Sequence, residues 1–199
     1  NRLWIGLEKK LTSYGRNQIY YSFLSEVSGV ETIILNYILD VFKFQKNIEK
    51  DYTNPYVLKL SKISKSVGRE KHRMEAFVRF KLTKDAIYFA NIEPDFDVLP
   101  LILKHFKKRY ADQQWLIYDI KRQYGLYYDL KKVEVIKFDF TSDLDFTKTS
   151  SEYFTSDEQN LQNLWKDYFT STNIKSRKNM VLHKRHVPKR YWKYLVEKQ

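Results

Sequence analysis

Arg69 and Arg73 stand four residues apart in GREKHRMEAFVRF, so on a helix their guanidiniums share a face and can clamp a phosphate. Glu70 and His72 point elsewhere on that turn, which argues against a simple acid–base pair. Arg79 lies a few residues on. In KHFKKRY, His105 and Arg109 repeat the four-residue spacing, and Asp119 with Arg122 follows in QQWLIYDIKR. A histidine, an aspartate and several arginines are the groups that proton transfer at a phosphodiester would use. His72, His105 and Asp119 are therefore the catalytic candidates, although nothing in their spacing demands that role. The competing expectation pairs Arg73 and Arg79 with Glu75, Glu93 or Asp119 in a buried network at a sheet edge.

The C-terminal tail, STNIKSRKNMVLHKRHVPKRYWKYLVEKQ, carries nine Lys/Arg between Ser171 and Gln199 against Glu197. Lys175, Arg177, Lys178, Lys184, Arg185, Lys189 and Arg190 could grip a phosphate backbone, while Tyr191 and Trp192 offer rings to unstacked bases. Equally, Tyr191, Trp192 and Leu195 could pin the segment in place and leave its lysines in water. His183 and His186 form H-x-x-H, but Lys184, Arg185, Lys189 and Arg190 would repel a dication and no acid lies nearby. Neither a metal nor a cofactor is expected.

Lys and Arg total 36 against 24 Asp and Glu, a formal charge of +12 that favours polyanions, nucleic acid before an anionic membrane surface. The chain has no cysteine. Disulfides, thiolate metal sites and thiol nucleophiles are excluded, and a reducing cytoplasm is the expected location. No apolar run approaches the roughly 20 residues that span a bilayer, so no membrane partner is expected. Asn1 rather than Met opens the sequence, which suggests a preceding segment. Gly-rich phosphate loops, G-x-S-x-G elbows and H-E-x-x-H helices are absent.

The elements that must position these residues follow from periodicity. Leu3, Trp4, Leu7 and Leu11 mark a first helix that Ser13-Tyr14-Gly15 should break; Ile19 to Val27 marks a second, ending near Gly29. A third runs from about Val30 to Lys46. Pro55 suits the first turn of a fourth that carries through GREKHRM, with Gly68 implying close packing or a backbone approach. At Glu75 the period changes to two, and Ala76–Leu82 with Ala86–Ile92 reads as a hairpin. A helix over Val98–Tyr110 and strands at Gln114–Asp119 and Tyr124–Tyr128 complete β-β-α-β-β, with Val133–Phe138 extending the last strand or adding a fifth. The fold expected is α+β: an N-terminal helical bundle packed on a β-β-α-β-β antiparallel sheet, with a basic helical C-terminal tail. The parts are 1–74 helical, 75–138 the sheet core, 139–160 an acidic linker and 161–199 the tail, together one composite domain. An open sheet face would make Tyr88, Tyr118, Tyr124 and Tyr128 stacking candidates.

At HRMEAFVRF, EPDFDVLPLILKHFKKRY, QWLIYDIKRQYGLYYD and LWKDYFTSTNIKSRKNMVLHKRHVPKRYWKYL, the chain resembles a bacterial family of DNA metabolism proteins defined by a conserved domain of unknown function. The resemblance runs from the first helix to the end. Members stand alone or are fused to a uracil-DNA glycosylase-like domain, are encoded beside a radical-SAM DNA repair or modification protein, and usually begin with a further segment. No glycosylase motif and no cysteine cluster is present here, so neither partner's catalysis carries over. The resemblance implies a module associated with DNA repair.

Three readings follow. The first is an accessory protein that binds nucleic acid through Arg69, Arg73, Arg79, Arg109, Arg122 and the tail. The second is an enzyme acting on DNA around His72, His105 and Asp119. The third is a scaffold that docks the glycosylase-like or radical-SAM partner.

Overall fold

The computed structural model describes residues 2–44, 46–137, 154–172 and 179–198. Residues 139–153 of the acidic stretch, Phe138, and Lys175, Arg177 and Lys178 of the tail lie outside the described residues. The chain is α+β, with four helices preceding a five-stranded sheet. It divides into two compact units, Asn1–His72 with Asp95–Val98, and Arg73–Pro94 with Leu99–Gln199.

The first unit is helical: α1 (Arg2–Lys10), α2 (Ser13–Phe23), α3 (Val30–Lys43) and most of α4 (Pro55–Phe77). Leu7, Leu11, Ile19, Tyr37, Val41, Ile48, Val57 and Leu60 form its core, drawn from the apolar stripe of every helix. The break between α1 and α2 falls at Leu11-Thr12, earlier than expected, and Ser13-Tyr14-Gly15 is the first turn of α2. Thr12 has an extended backbone and caps that turn by accepting from the Tyr14 N–H at 3.2 Å. The buried Glu49 carboxylate in turn accepts from the Thr12 N–H and, at 2.7 Å, from its hydroxyl. Gly15 makes room for that carboxylate, since a Cβ there would lie 2.7 Å from Glu49 Oε1. Asn54 opens α4 by accepting from the N–H groups of Tyr56 and Val57 at 2.9 and 3.2 Å, leaving Pro55 at the first position, where no N–H is needed. Residues 95–98 are tied to this unit by backbone N–H donors: Asp95 to the buried Glu70 at 2.9 Å and Asp97 to the Leu24 carbonyl at 3.0 Å.

In the second unit, β1 (Lys81–Leu82), β2 (Tyr88–Ile92), β3 (Trp115–Asp119), β4 (Tyr124–Tyr128) and β5 (Val133–Ile136) lie in sequence order across the sheet. Two expectations need correction. The helical pattern carries α4 to Phe77, so the first strand shrinks to two residues. The sheet is mixed rather than antiparallel, because β2 and β3 pair in parallel. Between them runs α5 (Leu99–Arg109), a crossover that returns the chain to the edge it left and so brings it back in the same direction. Trp115, Phe106 and Phe80 pack together beneath the sheet, with ring centroids 5.7 to 6.5 Å apart. Phe89, Tyr118 and Phe154 form a second buried cluster. Tyr118 and Tyr128 are thus core residues, not an open stacking face. Phe154 bridges the short edge strand at Thr83, and Glu158 of α6 (Ser156–Thr172) accepts from the Leu82 N–H at 2.9 Å, which covers that edge.

Candidate nucleic-acid interface

The tail begins with α7 (Met180–His186), capped by the Asn179 side chain, which accepts from the Leu182 N–H at 3.0 Å. Pro188 then precedes a 3-10 turn over Lys189–Tyr194 and a second over Val196–Lys198. With three residues per turn, side chains at i and i+3 eclipse one another, and KRYWKY is sorted into three columns. Tyr191 and Tyr194 face inward, around a small cavity shared with Met74, Phe77, Ile92 and Glu93. Arg190 and Lys193 are exposed, and so is Lys189, whose ammonium sits 6.0 Å from the centre of the Trp192 ring. Buried Tyr191, Leu195 and Val196 hold the segment down, and exposed Arg190 donates to the Tyr191 hydroxyl at 2.5 Å, its guanidinium 4.5 Å from that ring.

Two carboxylates fasten the same segment. Glu93, just beyond β2, accepts from Lys193 at 2.5 Å and from the Tyr194 hydroxyl at 2.6 Å. These two bonds hold its carboxyl below the usual glutamate range, while burial and the Glu93 carboxylate push the Tyr194 phenol well up. Glu197 pairs with Arg79 at 2.8 Å and accepts from the Trp165 indole at 3.1 Å. Burial would raise the Glu197 carboxyl, but Arg79 and the other donors outweigh it and the net displacement is downward. A third pair lies where the parallel strands end. Asp119 accepts from the Arg122 guanidinium at 2.8 Å and from the Lys121 and Arg122 N–H groups, and Arg122 also donates to the Pro94 carbonyl at 3.2 Å. Both side chains are cut off from water, at 0% and 8% exposure. Burial pushes the Asp119 carboxyl up against the pull of Arg122.

Several expected site residues are therefore structural. Arg79 and Arg122 are spent on internal ion pairs, and Tyr191 is buried with its ring 5.5 Å from Phe77. The Trp192 ring has the Lys189 and Lys198 ammoniums at 6.0 and 5.8 Å and its indole N–H on the Val187 carbonyl, so it supports cations. Lys184, Arg185, Lys189 and Arg190 are exposed, as are Arg69, bonded to the Ser66 hydroxyl at 3.0 Å, and Arg109, 5.7 Å from the Tyr110 ring; Arg73 is half-buried. Among the catalytic candidates, His72 is exposed on α4 in the first unit, while in the second the His105 ring lies 5.1 Å from Phe106. Asp119 takes Lys121 and Arg122 as partners rather than His105. His183 of the H-x-x-H pair lies 6.0 Å from Trp192.

Sequence reasoning missed the anchors Lys193, Tyr194 and Glu197, and named Glu93 only as a candidate partner for Arg73 or Arg79. The three-residue recurrence of Tyr191 and Tyr194 was the available signal, hidden by reading the tail at helical spacing.

No curated protein and no solved structure gives a significant match to this chain. A model of DUF4130, a domain of unknown function, matches residues 28–197. That span takes in α3 to the last 3-10 turn, including the anchored tail, and the chain accordingly belongs to the DUF4130 family.

Proposed function

We propose that this protein is a nucleic-acid-binding accessory factor of DNA metabolism, acting in a repair or modification pathway. The observation that carries the reading is the anchored tail: Lys189 and Arg190 are exposed on a segment held in place by Tyr191, Leu195, Glu93 and Glu197, and α7, whose end is tied to it by the Trp192 indole bond to the Val187 carbonyl, exposes Lys184 and Arg185. Between 179 and 198 there are six Lys/Arg and a single acid, Glu197, which is already bound to Arg79. Cations fixed by their neighbours lose little freedom when a phosphate arrives, and counterion release supplies the affinity.

Because Tyr191 is buried and Trp192 is attended by lysines, contact runs through phosphates rather than stacked bases, and duplex DNA is the expected ligand. The resemblance set out above supplies the pathway, and with it a radical-SAM protein and a uracil-DNA glycosylase-like domain as proposed partners. No helix among the described residues is long and apolar enough to cross a membrane. Fluorescence anisotropy with a labelled duplex tests the reading. Binding is expected at about 50 mM salt and should fall steeply as salt rises. Absence of binding to both duplex and single strand at that salt overturns it.

A further inference from the structure

Two helices of the second unit carry apolar side chains on the outside. On α6, Leu161, Leu164, Trp165 and Tyr168 are all exposed, Leu164 by 63%. Their spacing places them on one helical face, and exposed Asp157 continues that face one turn earlier. On α7, Met180, Val181 and Leu182 are exposed, Val181 by 82%, with exposed Lys184 and Arg185 one turn further on. The first surface runs from acid to apolar, the second from apolar to base.

We infer that a second copy of this chain covers these surfaces, α6 of one protomer packing on α7 of its partner and the reverse across a two-fold axis. Charge decides the occupant. Two copies of a +12 chain repel through most of their surface, yet α6 presents Asp157 where α7 presents Lys184 and Arg185. A two-fold contact buries both apolar surfaces in both copies at once, since each contact occurs twice. The anchors are pre-arranged: the Trp165 indole is held by Glu197 at 3.1 Å, and its ring lies 5.7 Å from Tyr168. A nucleic acid laid on α6 would instead meet Asp157 beside those rings. The inference does not rest on the nucleic-acid reading: a duplex that engages Lys184 and Arg185 competes with the partner copy for those two cations.

Sedimentation equilibrium of the whole chain, without nucleic acid, tests it. A dimer is expected across the micromolar range. Leu164→Glu and Val181→Glu should each raise its Kd by about 30-fold or more while leaving far-UV circular dichroism unchanged, as both side chains are exposed. Asp157→Arg and Arg185→Asp should each weaken the dimer, and the double reversal should restore it. A monomer at about 100 µM, the level of a very weak contact, overturns the inference. So does a dimer indifferent to both glutamate substitutions, or a double reversal that fails to restore association.

Discussion

Asp119 and Arg122 are both buried, and neither could be left charged alone without a large desolvation cost. Arg122→Ala should therefore destabilise the protein by about 3–5 kcal/mol, the range for breaking a buried pair from one side. Urea denaturation reads this directly, and an unchanged midpoint would return Arg122 to the list of surface cations. Two glycines make a second residue-scale contrast. A Cβ on Gly68 would meet the Tyr21 ring at 3.8 Å, ordinary contact, so neither close packing nor an approaching backbone explains it. Gly68→Ala should stabilise α4 by about 0.5–1 kcal/mol. A Cβ on Gly125 would lie 2.9 Å from both the Ile117 carbonyl and the Tyr118 ring, so Gly125→Ala should cost about 1–3 kcal/mol. Thermal unfolding should move in opposite directions for the two variants.

At the scale of elements, the C-terminal segment depends on Glu93 and Glu197. Both carboxyls are displaced below their ordinary value of 4.5, so the native state favours the ionised forms. Their contribution is complete above that value and is lost as pH falls through the depressed folded values. Acid should thus release the tail before the sheet melts. Limited proteolysis and tryptophan fluorescence, reporting on Trp165 beside Glu197, should show it, and Glu197→Gln should bring release toward neutral pH. A tail that stays protected at about pH 3 would mean that Tyr191 and Leu195 suffice to hold it. The helices, the β-β-α-β-β order and the Pro55 start were legible because each is written in local periodicity or capping. The parallel pairing of β2 with β3 was implicit in that order, since a helix between neighbouring strands is a crossover. The overrun of α4 to Phe77 was hidden by the β-like composition of FVRF.

For the whole molecule, charge is the governing quantity. A +12 chain attracts polyanions from every side, but only cations that contact phosphate displace counterions. Replacing Lys184, Arg185, Lys189 and Arg190 together by Gln should lower the magnitude of the log–log salt slope by about 3 to 4, at roughly 0.9 per lost duplex contact. An unchanged slope would move the interface to other exposed cations such as Arg69 and Arg109. Far less of this candidate site than of the fold was readable in advance. The tail was recognised as basic and aromatic, but which side chains it turns inward depended on a 3-10 period and on partners elsewhere in the chain.

Composition and spacing alone determined the α+β class, the order of the elements, the absence of thiol chemistry and the basic character of the tail, because these follow from local pattern and from counting. The tertiary structure decided which arginines are spent. Arg79 meets Glu197 across 118 residues of sequence and Tyr194 meets Glu93 across 101, separations at which no periodicity operates. Such pairings exist only once the sheet and its crossover bring the chain back on itself. They convert Arg79 and Tyr191 from expected contacts into anchors, and leave the exposed cations beside them as the surface proposed to meet phosphate.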